Sequence, residues 1–114
     1  MNFKVGQAVC GKIRFKDGAM PEYDRTYLVV TVEQDYIEVL NVSSIRGKEH
    51  KLLFETNEKI NQNWPPFKWP SFVKLDSLTR VPTEDFAKIH VLCGGRQLNS
   101  TDLSNILNKL STST

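Results

Sequence analysis

With 114 residues the chain holds one hydrophobic core and little room for a second. Hydrophobic residues make up 39% and charged residues 25%, an ordinary globular balance that excludes general disorder, and no apolar run approaches the ~20 residues that span a bilayer. A net charge of +2 is too small to point to nucleic acid by itself, so any such function must rest on local clustering.

The opening Met1-Asn2-Phe3-Lys4-Val5-Gly6 lacks the apolar core of a signal peptide, which makes a cytoplasmic location, with no membrane partner, the expectation. Cys10 and Cys93 have neither CxxC spacing nor a histidine pair beside them, and His50 and His90 stand apart. Both thiols are therefore read as reduced, and no metal site or other cofactor is expected.

Gln7 to Phe15 reads as a first strand, with Lys12, Arg14 and Lys16 at period two on one face opposite Ile13 and Phe15. That basic row is either a solvated face or part of an RNA-binding surface. A polar Gly/Pro loop follows, and then Tyr27 to Val32, β-branched and nearly all apolar, as in a strand buried on both faces. Tyr36 to Ser43 is a third strand. Arg46 to His50 makes a polar turn before the short apolar run Lys51 to Phe54.

Trp64-Pro65-Pro66-Phe67-Lys68-Trp69-Pro70 carries too many prolines to pair as a central strand and reads as a stiff extended loop. Its aromatics Trp64, Phe67 and Trp69 cap one end of the fold, stack bases or meet a protein partner. Ser71 to Asp76 alternates, so Val73 and Leu75 should face a core while Phe72, Lys74 and Asp76 share the other face. Leu78 to Val81 closes the strand series. Many short strands with tight turns in so small a chain predict a bent antiparallel barrel over about residues 1–82.

The remainder, about 83–110, reads as helical. Thr83 to Ala87 resembles a capped helix start, and Gly94-Gly95 breaks the chain. Ser100 is a candidate N-cap with Asp102 in the first turn. Leu103, Ile106, Leu107 and Leu110 follow at helical spacing, a stripe for packing on the barrel or on a second copy of the chain. Residues 1–114 thus form a single domain, mainly β with a C-terminal helix.

Three strand ends carry chemistry: Arg25, Ser43 with Ser44, and Lys74 with Asp76. A guanidinium matches a phosphate bidentately, hydroxyls donate to its other oxygens, and a carboxylate accepts a proton. Each part also has a plain reading, since Arg25 could pair with Glu22 or Asp24 and the serines could simply start a turn. A small barrel that brings these ends to one rim would make a phosphodiester site.

Val5-Gly6-Gln7-Ala8-Val9, Arg25 followed by Tyr27-Leu28-Val29-Val30, Leu40-Asn41-Val42-Ser43-Ser44, and Ser71 to Leu78 leading to Arg80-Val81 together resemble the MazF/PemK-type toxin family in order and spacing. That resemblance implies an SH3-like antiparallel β-barrel of the MazF/PemK/CcdB kind, a homodimer, and a metal-independent endoribonuclease cutting single-stranded mRNA. It also implies a cognate antitoxin that holds the enzyme inactive. By the same resemblance Arg25, Ser43, Ser44, Lys74 and Asp76 are the catalytic candidates, with Arg25 stabilising the phosphate, the serines hydrogen-bonding it and Asp76 as base. Lys12, Arg14, Lys16, Trp64, Phe67 and Trp69 are the candidate RNA-binding set. Lys74 stands where members carry arginine, and Gln7 and Thr26 replace an acidic residue and a proline. The competing expectation is a non-catalytic barrel that binds nucleic acid or a protein partner.

Overall fold

The protein is described by a computed structural model covering residues 2–14 and 17–112. Its framework is a 7-stranded antiparallel sheet: β1 (Ala8–Gly11), β2 (Arg25–Val32), β3 (Tyr36–Ser44), β4 (Asn57–Lys59), β5 (Ser71–Lys74), β6 (Thr79–Pro82) and β7 (His90–Val91). One helix, α1 (Ser100–Thr112), follows. The strand order is β4-β5-β3-β2-β1-β7, with β6 also pairing β3. Among the described residues the two outer strands β4 and β7 do not pair with each other, so the sheet is open.

β2 is buried from Tyr27 through Val30 because both faces of the sheet are covered, as its unbroken apolar run requires. On one face Tyr27 and Val29 join Phe3, Val9, Ile13, Ile37, Val39, Val81, Phe86 and Ile89. On the other, Leu28 and Val30 meet Ala8, Leu40, Val42, Ile60, Phe67, Val73, Leu98 and Ile106. Leu103, Leu107 and Leu110 pack against this second cluster, so the helical stripe covers the chain's own sheet. Each large apolar side chain fully removed from water contributes about 1.5–3 kcal/mol.

The long strand β3 holds two partners end to end. Its Tyr36 to Val39 half pairs with β6, and its Val42 to Ser44 half pairs with β5. Between them the chain makes one 3-10 turn, Leu75–Ser77. Ser77 fills the resulting gap in the ladder: its Oγ accepts from the Asn41 N–H at 2.8 Å and donates to the Lys74 carbonyl at 2.6 Å.

Several expected boundaries move. The strand expected over Gln7 to Phe15 stops at Gly11, whose partner Arg25 is the first residue of β2. Gly11 also passes so close to Ile89 that a Cβ there would lie 2.5 Å from its Cδ1. Beyond it Ile13 is buried while Lys12 and Arg14 are exposed, so the alternation outlasts the pairing; Phe15 and Lys16 lie outside the described residues. The strand expected to carry both Lys74 and Asp76 ends at Lys74, because Ser77 captures the Lys74 carbonyl and turns the chain. Phe72 stands opposite Ser43 and so shares the Lys74 face as expected, but it is fully buried.

The segment Trp64 to Pro70 is not extended: Phe67 N–H donates to the Asn63 carbonyl at 2.8 Å, closing a turn that buries Phe67. Glu49–Leu53 forms a 3-10 turn that leaves Leu53 and Phe54 exposed. Thr83–Lys88 is a 3-10 turn as well, and the Thr83 hydroxyl reaches the Gln34 carbonyl instead of capping a helix. Asn99, not Ser100, caps α1: its Oδ1 accepts from the Asp102 N–H at 2.9 Å.

Candidate functional site

The gap in the ladder beside Asn41 opens onto a concavity of about 130 Å³ lined by Ile13, Arg14, Arg25, Tyr27, Asn41, Lys74, Ser77 and Thr79. Strand registry explains the membership. Tyr27 stands opposite Asn41 and Thr26 opposite Val42, so one step further Arg25 comes beside Ser43. Val42 pairs with Val73 and Ser43 with Phe72, which sets Lys74 next to Asn41 on the same face as Arg25, Tyr27 and Ser43.

Positive charge gathers here although the chain as a whole is nearly neutral. Lys48 Nζ donates to Ser43 Oγ at 2.9 Å. Burial is the largest influence lowering the Lys74 pKa; Lys51, Lys48 and Arg25 lower it further, and Asp76 opposes them. The Arg25 guanidinium lies over the Tyr23 ring, 5.0 Å from its centroid. A site that crowds cations against one another in this way is prepared for an anion.

Tyr27 contributes a buried hydroxyl that has no hydrogen-bond partner among the described residues. Burial pushes its pKa up, against the Ile13 backbone and Arg25, which pull it down. The Ile13 backbone is close to this hydroxyl without reaching hydrogen-bonding geometry. An anion in the concavity would give this O–H an acceptor.

The expected set divides accordingly. Arg25 and Lys74 come together, joined by Arg14 from the expected RNA-binding row, while Ser43 stands beside Arg25 by register and lines the neighbouring aromatic cleft. Asp76 sits exposed in the 3-10 turn just past Lys74, near enough for its charge to act on that ammonium. Ser44 parts from the group: pairing with Ser71, it alternates to the opposite face, and its Oγ accepts from the Arg46 N–H at 3.3 Å. Lys12 lies away from the concavity, in a wider groove of about 630 Å³ shared with Arg14, Arg80, Glu84, Asp85 and Lys88. Lys16 lies outside the described residues.

Of the aromatics, Phe67 and Trp69 line a cleft of about 370 Å³ on the opposite face, while Trp64 is not among its walls. Sequence reasoning missed Tyr27, Lys48 and Lys51. Period two from Arg25 identifies Tyr27, but the two lysines come from a turn whose approach to β5 leaves no local signal. Among the described residues no cluster of His, Cys, Asp or Glu is arranged to hold a metal ion, and no helix is long and apolar enough to cross a membrane. Compared with known families and with curated proteins, the chain matches none.

Proposed function

We propose that the chain is a metal-independent endoribonuclease of the MazF/PemK type, cleaving single-stranded RNA at the Arg25–Lys74 concavity. The observation that carries this reading is a small hollow walled by Arg14, Arg25 and Lys74, with the charges of Lys48 and Lys51 also acting on Lys74. In the proposed reaction the ribose 2′-oxygen forms a bond to the adjacent phosphorus and the bond from phosphorus to the 5′-oxygen breaks. Asp76 takes the 2′-hydroxyl proton, and the Lys74 ammonium gives a proton to the departing 5′-oxygen. The products are a 2′,3′-cyclic phosphate and a free 5′-hydroxyl.

Arg25 neutralises the charge that builds on the phosphoryl oxygens, and Ser43 and Tyr27 donate hydrogen bonds to them. A lysine with a lowered pKa is a better proton donor than an ordinary one, which gives Lys74 a role that a guanidinium would fill poorly. Asp76 approaches from its turn, close enough for its charge to act on Lys74. Ser44 has no part in this phosphate site.

The same reading includes a strongly twisted SH3-like arrangement of the sheet, a homodimer, and a cytoplasmic antitoxin partner. An acidic partner segment with apolar anchors would suit the rim where Leu53, 86% exposed, and Phe54, 56% exposed, stand beside Lys51. Antitoxin and RNA would then exclude one another. Simultaneous, independent binding of both would count against that part of the proposal.

The test is incubation of the protein with mixed-sequence single-stranded RNA in excess EDTA, beside Arg25→Ala. Wild type cleaves, and Arg25→Ala loses about 10²–10³ in rate, the usual cost of removing one transition-state donor. RNA retained on a gel shift without cleavage would support the non-catalytic binding module instead.

A further inference from the structure

The 370 Å³ cleft on the opposite face of the sheet has the composition of a site for a flat, partly polar ring. Phe67 and Trp69 supply aromatic wall, Leu92 and Cys93 close the other side, and the hydroxyl residues Thr26, Ser44 and Ser71 add hydrogen-bonding groups. Lys68 stands at the edge. Trp69 is 67% exposed, and the backbone that carries it is anchored, because Ser71 Oγ donates to the Trp69 carbonyl at 2.7 Å and Phe67 nearby is packed into the core. An exposed aromatic ring carried on an anchored backbone at such a cleft is a stacking platform.

Its place relative to the cationic concavity identifies the occupant. By strand register Ser43 stands beside Arg25, and it lines the cleft together with Ser44; successive Cα atoms lie about 3.8 Å apart. Arg25 faces the concavity while its neighbour Thr26 lines the cleft. β2 begins at Arg25 and β3 ends at Ser44, so the two sites meet at one end of the sheet, where a polynucleotide can pass from one face to the other. We infer that the cleft is a base subsite: it receives, stacked on Trp69, the nucleobase of a nucleotide next to the phosphate bound by Arg25 and Lys74. This assignment rests on the nucleic-acid reading of the concavity and goes beyond it by locating where sequence preference arises. Stacking supplies the affinity, and the hydroxyls of Thr26 and Ser44 discriminate among base edges.

The test compares two short oligomers of equal length and charge. One is a single-stranded RNA made uncleavable by 2′-O-methylation, and the other is its abasic counterpart. Wild type binds the base-bearing oligomer more tightly. Trp69→Ala weakens that binding by roughly 5- to 150-fold, the equivalent of losing one stacked base, and leaves affinity for the abasic chain unchanged. Alkylating Cys93 with a bulky maleimide in a Cys10→Ser background gives the same selective loss without touching the aromatic wall. Equal affinity of wild type for the two oligomers would overturn the base subsite while leaving the phosphate site standing, and would be the result if the cleft serves a partner's apolar side chain. Equal weakening of both oligomers by Trp69→Ala would overturn it too. If wild type binds neither, the nucleic-acid reading falls, and the subsite with it.

Discussion

Lys74 and Tyr27 each carry a cost to folding that an anionic ligand would offset. The Lys74 pKa is lowered in the folded protein, first by burial and then by Lys51, Lys48 and Arg25. Below the ordinary lysine value of 10.5 the folded state therefore binds its proton less readily than the unfolded chain, and stability rises with pH across the window between the two pKa values. At neutral pH Lys74→Met removes this cost, so its thermal midpoint should rise while RNA cleavage falls. A variant less stable than wild type would contradict the charge-crowding account. Tyr27→Phe follows the same logic, since it deletes a buried hydroxyl that lacks a partner. Urea unfolding should find it as stable as wild type or up to about 1 kcal/mol more stable, with weaker RNA binding. A loss of stability would mean that the hydroxyl is satisfied within the fold.

At the scale of elements, α1 is fastened by one carboxylate. Asp102 is buried, and it accepts from the Asn61 and Gln62 backbone N–H groups and from the Asn61 and Asn99 side-chain amides. Burial pushes its pKa up, but the bonds from Asn99, Gln62 and Asn61 outweigh that and hold it below the ordinary 3.8. Its contribution is therefore fully present above that value and is lost as the pH falls through the lower folded pKa. Asp102→Asn should unfold at lower urea than wild type at neutral pH, by about 1–3 kcal/mol, with the difference narrowing in acid. A difference that does not change with pH would deny the carboxylate this role. Lys109 also pairs with Glu58, linking the far end of the helix to β4.

Elements also show what the sequence made legible. The burial of β2 on both faces follows from its unbroken apolar run, and the leucine stripe of α1 declares which face packs. Local pattern could not place the end of β5, because Leu75-Asp76-Ser77 continues the same alternation while a single serine hydroxyl breaks the ladder. Nor could it choose between Asn99 and Ser100 as the cap, since adjacent residues are equally competent. Ser43 and Ser44 are neighbours, and period two aims their side chains to opposite faces, yet at the strand end both border the aromatic cleft. The open sheet and the approach of Lys48 and Lys51 depend on pairing between distant segments, which no short window contains.

For the whole molecule, a formal charge of only +2 means that any strong salt dependence of RNA binding must come from the local cluster. Contacts by Arg25, Lys48 and Lys74 to phosphates would give a slope of about −2 in log affinity against log salt, at roughly −0.7 per contact for a single strand. Lys48→Ala should make that slope shallower by about 0.7. An unchanged slope would remove Lys48 from the RNA path. The proposed phosphate and base sites are carried on opposite faces of one sheet, the first beside the cluster that holds Ile13 and Tyr27 and the second beside the cluster that holds Val42 and Phe67.

The central claim is that the Arg25–Lys74 concavity cuts RNA through the substrate's own 2′-hydroxyl. The most direct measurement is the chemistry of the ends left on a single-stranded RNA by wild-type protein in excess EDTA, with a 2′-deoxy substitution at the cleaved nucleotide as the comparison. The account predicts 2′,3′-cyclic phosphate and 5′-hydroxyl ends, and no cut at the deoxy position. Fragments bearing 5′-phosphates, or cleavage that persists at the deoxy nucleotide, would contradict it.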